Sequence, residues 1–208
     1  MASWEHVDDN RKSAVRTLNA DPVITPRKNH IDIVPLGHVD PLAVSVVAAN
    51  LQSLIGLNAD VLAMNPDPEY AYIPQRRQFD AIKIIKEISR NKQGARLKLA
   101  VTELDICTPI LTFVFGESQL GGAVALVSLN RLQGGAAETV FERAAKISVH
   151  EVGHVLGLEH CWEIRCLMHF SRDIEQLDSL PLQFCSACEY EATRRIRHLY
   201  STLSRPSS

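Results

Sequence analysis

Residues 150–160 read His-Glu-Val-Gly-His-Val-Leu-Gly-Leu-Glu-His. Helical residues four apart share a face one turn apart, so His150 and His154 can aim two imidazoles at one point. Glu151 lies about 100° further round the helix. It is close enough to reach a ligand carried on a metal there and too far round to join the coordination. Catalytic zinc takes three protein ligands and keeps one position for water. Gly157 permits the sharp turn that ends the helix, after which His160 can return as the third nitrogen ligand. Zinc so held lowers the pKa of a coordinated water from about 15.7 to about 7 and polarises a carbonyl, with Glu151 as general base. The chemistry expected is zinc-dependent hydrolysis of a peptide bond. A buried helix with two hydrogen-bonded histidines is the bland alternative; three histidines and a glutamate at fixed spacings weigh against it. Cobalt or nickel would suit the same nitrogens.

Four of the five cysteines fall in the last fifty residues, beside this cluster. Cys161-x4-Cys166 and Cys185-x2-Cys188 suit a tetrahedral zinc with bonds of about 2.3 Å. Sulfur in all four positions leaves no room for water, so this second zinc would be structural. Two disulfides are the rival pairing; the paired spacing and a reducing compartment favour zinc. The cofactor expectation is therefore two zinc ions per chain. Cys107 stands alone in an apolar run and reads as a buried, inert thiol.

An α/β frame has to carry these residues. Residues 1–29 are polar and aperiodic and read as a poorly ordered N-terminal extension. Residues 30–208 read as a single domain with a zinc-rich C-terminal part from about residue 158. Strands are expected at Ile31–Leu36, Asp60–Met64, Leu97–Glu103, Ile110–Phe115 and Ala123–Leu129. Asp40-Pro41 opens a helix that Gly56 stops, with Val44, Val47, Leu51, Leu54 and Ile55 on one stripe. A second helix is expected over Phe79–Ser89, where Phe79, Ile82, Ile85 and Ile88 repeat at helix spacing. The metal-bearing helix spans about Glu138–Leu156, and a last helix about Cys185–Leu203.

The formal net charge of −2 gives no basic excess of the kind a nucleic-acid partner requires. Arg194, Arg195 and Arg197 alternate with Glu191 and Tyr200 as on a solvated helix face. The first thirty residues contain no apolar core of a secretory signal. The uncharged stretch Pro41–Ala59 carries Ser45, Asn50, Gln52, Ser53 and Asn58, which are costly in hydrocarbon. A cytoplasmic monomer acting on peptide or protein substrates, with no membrane or nucleic-acid partner, is the resulting expectation. A catalytically weak, zinc-stabilised module that binds peptides or nucleic acid is the alternative.

The long histidine signature resembles that of the metzincin clan of zinc peptidases. Within it, Cys161 directly after His160, with four residues between Cys161 and Cys166, one between Cys166 and Met168, and sixteen between Met168 and Cys185-Ser186-Ala187-Cys188, resembles the archaemetzincin family. The resemblance implies a compact α/β (α+β) catalytic domain with a mixed twisted sheet, an active-site helix and a methionine turn. A C-terminal four-cysteine zinc segment and a helix follow it. It implies His150, His154 and His160 as ligands, Glu151 as base and Met168 as the floor beneath the rings, with aminopeptidase-like action on short peptides. It also implies an extended substrate lying antiparallel to an edge strand, for which Ala123–Leu129 is the candidate. Met168-His169-Phe170 lacks the tyrosine that some metzincins place there.

Overall fold

The computed structural model describes residues 29–201, so the expected extension lies outside the described residues except for Asn29. The chain runs through β1 (His30–Leu36), α1 (Pro41–Ile55), β2 (Asn58–Val61), β3 (Tyr72–Ile73), β4 (Gln78–Asp80) and α2 (Ala81–Arg90). β5 (Leu97–Thr102), β6 (Ile106–Cys107), β7 (Gly116–Ser118), β8 (Val124–Ser128), α3 (Ala137–Val155), α4 (Ile174–Ser179) and α5 (Ser186–Ser201) follow. A five-stranded sheet has the order β2-β1-β5-β8-β7, parallel throughout except for the antiparallel pair β7–β8. β3, β4 and β6 form a small second sheet. The mixed α/β class is as expected.

Period-two alternation assigns each strand residue to a face. Ile31, Ile33, Leu97, Leu99, Val101, Ala125 and Val127 point to one side and pack with the apolar stripes of α1 and α3. Val34, Leu36, Ala100, Val124 and Leu126 point to the other side, where Ala81, Ile84 and Ile85 of α2 meet them. A strand covered on both faces is largely apolar; β5 and β8 are buried along their whole length, and the buried polar residues of β5, Lys98 and Thr102, donate to the carbonyls of Asn91 and Leu36.

Helix starts follow the capping chemistry. Asp40 accepts from the Leu42 backbone N–H at 2.8 Å, Pro41 takes the first turn, and Gly56 closes α1 at φ 72°. Asp80 accepts from Lys83 N–H and begins α2 at Ala81. The expected helix start at Phe79 is thereby corrected, since Phe79 belongs to β4; of the apolar repeat Ile85 is buried and Ile88 packs against the core, while Ile82 is exposed and Ala81 and Ile84 complete the buried face. The expected strand Ile110–Phe115 is also corrected. The Thr108 hydroxyl accepts from Leu111 N–H at 3.0 Å and folds the chain into bends after Pro109; strand pairing starts only at Gly116. β2 ends at Val61 rather than Met64. Leu62 and Asn65 donate single bonds to β1 beyond it. α4, capped by Asp173, lies between the two expected helices Glu138–Leu156 and Cys185–Leu203, where no element is expected. Leu203, the expected end of α5, lies outside the described residues.

Two buried cations tie α3 to α4. Arg143 grips the Asp178 carboxylate with two bonds of 2.7 and 2.6 Å and donates to the carbonyls of Leu132 and Gly134. Lys146 donates to the carbonyls of Leu177 and Asp178. The Arg143 hydrogen bonds hold the Asp178 carboxyl below the usual range. An acid with a lowered folded pKa stabilises the fold above its unfolded value, about 3.9, and that stabilisation disappears as pH falls through the folded value. Asp178→Asn should therefore cost about 1–2 kcal/mol at pH 7, the low end of a charged hydrogen bond because the carboxylate is part-exposed. In denaturant titrations the deficit should shrink below about pH 4. A deficit unchanged at pH 3 would contradict the assignment.

Candidate active site

α3 carries His150, Glu151 and His154 on its last turns. Gly157 turns the chain at φ 91°, where a side chain is strained, and a Cβ there would also stand 2.8 Å from the Arg195 guanidinium. The chain returns through Leu158 to His160. The three ring centroids lie 4.6, 4.8 and 5.4 Å apart, and one nitrogen from each ring falls within 4.8 Å of the others. The structure brings the expected trio together and leaves Glu151 out of the group.

Backbone carbonyls set the tautomers. His150 Nδ1 donates to Leu167 O at 2.8 Å, and His154 Nδ1 donates to Leu158 O at 2.7 Å. A carbonyl only accepts, so the proton sits on Nδ1 and Nε2 keeps a lone pair. The two Nε2 atoms then face each other at 3.0 Å. Two lone pairs so placed repel unless a cation lies between them, and neighbouring nitrogens on a tetrahedral zinc stand about 3.3 Å apart. Burial pushes His150 down to about 4 and also lowers His154 and His160, so all three are neutral, the ligating form, at neutral pH. This donor set fits a divalent zinc-class ion.

Glu151 is buried, and its Oε2 accepts from the Ser118 hydroxyl at 2.6 Å. Burial pushes its carboxyl up to about 8; a divalent cation beside it favours the ionised form. Gly116 leaves the space this carboxyl occupies, since a Cβ there would meet Glu151 Oε1 at 2.7 Å. Gly116 and Ser118 were not legible in the sequence as site residues, because strand register places them two apart on β7 facing α3. The edge-strand expectation is corrected at the same point. β8 within Ala123–Leu129 lies between β5 and β7, and β7 is the edge. A cleft of about 1010 Å3 lies beside β7, lined among others by Phe115, Ser118, Glu151, His160 and Leu180.

The four cysteines form a second cluster whose sulfurs all lie within 4.8 Å. Cys161 and Cys185 sulfurs are 3.8 Å apart, the separation of about 3.8 Å expected for thiolates on one tetrahedral zinc and far from the ~2.05 Å of a disulfide. Backbone N–H groups of Glu163 and Cys185 point at the Cys161 and Cys166 sulfurs. The Cys188 N–H, in the first turn of α5, holds the Cys185 thiol below its usual value. Cys107 is buried and apart from both clusters. Met168 is fully buried, with its sulfur against Gly153 of α3.

The model of Peptidase family M54 matches residues 73–194. The archaemetzincin of Archaeoglobus fulgidus is 37% identical over 158 residues, 76% of this chain and 95% of that protein. The chain belongs to the archaemetzincin family. The archaemetzincin of Natronomonas pharaonis is 33% identical, covering 77% of this chain and 97% of the relative. Among solved archaemetzincins, the A. fulgidus structure complexed with malonate matches at TM-score 0.71 and 36% identity, covering 78% of this chain and 99% of that one. The Methanopyrus kandleri structure matches at TM-score 0.75 and 28% identity, covering 82% and 96%. Archaemetzincins are zinc metallopeptidases, which decides between an enzyme and a non-catalytic binding module in favour of the enzyme.

Gly153 offers a test of how the helix and methionine turn fit. Glycine to alanine inside a helix ordinarily stabilises by about 1 kcal/mol. Here the new Cβ would stand 2.5 Å from the Met168 sulfur, and overpacking costs about 1–3 kcal/mol. Gly153→Ala should therefore lower Tm, and in a double-mutant cycle the same change made on a Met168→Ala background should cost less than it does in the parent chain. A raised Tm in the single variant would refute the close fit.

Proposed function

We propose that this chain hydrolyses peptide bonds at His150, His154 and His160 with Glu151 as general base. The carrying observation is the pair of Nε2 lone pairs at 3.0 Å, each fixed by an Nδ1–H bond to a carbonyl. His150, His154 and His160 would hold a zinc ion, which would supply Lewis acidity for activating a water and polarising the scissile carbonyl. Glu151 takes a proton from the attacking water and returns it to the departing amine nitrogen. The Ser118 hydroxyl aims that carboxylate, and Gly116 gives it room. Met168 floors the site beneath the rings. The outer edge of β7 offers backbone donors and acceptors to an extended peptide. Cys161, Cys166, Cys185 and Cys188 would hold a second zinc, which would tie the segment around Met168 to the start of α5.

Aminopeptidase-like action needs a carboxylate for the substrate ammonium, and Glu117 and Glu159 are the other carboxylates lining the cleft. N-acetylation of a peptide substrate separates this action from internal cleavage. Among the described residues no helix is long and apolar enough to cross a membrane. We place the enzyme in the cytoplasm, as a monomer, where reduced thiols keep the cysteine cluster competent for zinc.

Glu151→Gln should keep its zinc yet lose about 10²–10⁴ of peptide turnover, measured by elemental analysis beside a quenched-peptide assay. Unchanged turnover removes Glu151 as the base. The same elemental analysis should give two zincs per unsubstituted chain and one for Cys166→Ser.

A further inference from the structure

Among the described residues, fourteen large hydrophobic side chains are exposed, and six of them, Ile110, Leu111, Leu120, Trp162, Ile164 and Phe170, lie on segments bordering the catalytic cleft. Leu111 and Leu120 line it from the β7 side, and Trp162 and Phe170 line it from the side of the chain after α3. Trp162 is 95% exposed and Ile110 is 92% exposed. Backbone hydrogen bonds hold two of these segments in the conformation that presents their apolar side chains to solvent. Arg76 donates to the carbonyls of Thr108 and Leu111 at 2.9 and 2.7 Å, fixing the loop that presents Ile110 and Leu111. On the opposite rim the loop between Cys161 and Cys166 is closed by Cys166 N–H to Glu163 O at 3.0 Å and by Glu163 N–H to the Cys161 sulfur. Apolar side chains held in water around a concave site mark an interaction surface.

We propose that this rim selects the substrate: an extended segment of unfolded polypeptide with bulky apolar side chains on both sides of the scissile bond. The proposal rests on the reading of the cleft as the peptide-hydrolysing site, with which the apolar rim is continuous. An extended peptide paired to the β7 edge turns alternate side chains to the two faces of the sheet, and Leu111, Leu120, Trp162 and Phe170 are the exposed apolar groups lining the cleft in which such a peptide would lie. Segments rich in large apolar residues are buried in folded proteins. The substrates are therefore chains already unfolded or fragmented by another enzyme.

The sequence contains two tryptophans, Trp4 and Trp162, so Trp4→Phe leaves Trp162 as the sole indole reporter. Zinc-loaded Trp4→Phe/Glu151→Gln chain is titrated with an N-acetylated decapeptide flanked by Leu and Phe, and with a Ser/Gly-flanked peptide of equal length. The expected result is a saturable blue shift of Trp162 emission with the apolar peptide, at about tenfold lower Kd than with the polar one. Equal affinities, or no shift, would overturn the proposal. A blue shift that grows with protein concentration alone would assign the rim to a second copy and overturn it. A shift on phosphatidylcholine vesicles without peptide would do the same in favour of a membrane. In the Glu151-intact chain, Leu120→Ser and Ile164→Ser should each raise KM for the apolar peptide several-fold with kcat held, and leave KM for the polar peptide in place. Equal changes for both peptides count against the proposal while leaving the peptidase reading intact. If no peptide is cleaved, the peptidase reading fails and the emission titration still decides the rim.

Discussion

Two side-chain-to-backbone hydrogen bonds, His150 Nδ1 to Leu167 O and His154 Nδ1 to Leu158 O, decide what the helix end can do chemically. They fix which nitrogen is protonated, and thereby turn two adjacent imidazoles into lone-pair donors aimed at one point. Both accepting carbonyls belong to the segment that follows the helix, so the site exists only if that segment is held in place. Leu167 N–H bonds to Gln183 O and Cys161 N–H bonds to Met168 O, which stitches the methionine turn to the stretch leading into α5. His169 Nδ1 meets the Cys161 carbonyl at 2.9 Å and adds a further tie. The cysteine cluster and the histidine cluster are thus two ends of one short hydrogen-bonded unit rather than independent features.

The rest of the fold supplies rigidity to that unit. α3 is buried on most of its circumference, between the sheet and the Arg143–Asp178 and Lys146 ties to α4. Small residues make the necessary close approaches: Gly116 where β7 passes the Glu151 carboxyl, and Gly153 where the Met168 sulfur meets the helix. In both places a larger residue would push apart groups that must be near one another. The antiparallel β7 at the end of an otherwise parallel sheet has one edge paired to β8 and the other turned to the cleft, which couples sheet topology directly to substrate access.

Much of this was legible in residue order because the information was local. Histidines four apart on a helix, a glycine at its end and cysteines in short pairs depend on sequence separations of a few residues, and the structure brings both groups together as the spacing predicts. The α1 boundaries were legible for the same reason, through Asp40, Pro41 and Gly56. Features set by long-range pairing were not. The apolar run at Ile110–Phe115 has strand composition, yet Arg76, over thirty residues away, and the Thr108 hydroxyl hold it as a bent loop. Ala123–Leu129 has the composition of either an edge or a central strand; only the arrival of β7 beside it makes it internal. Ser118 has no recognisable motif, and its role depends on a contact with a residue 33 positions later.

Three imidazoles would share one divalent cation and leave part of its coordination open to the cleft. Diffraction from crystals of the purified protein, with anomalous differences collected on both sides of the zinc absorption edge, tests this most directly. The account predicts two zinc peaks: one at about 2.0–2.1 Å from Nε2 of His150 and His154 and from a nitrogen of His160, the other at about 2.3 Å from four cysteine sulfurs. An absent first peak, or one whose remaining coordination is filled by a protein side chain, would contradict it.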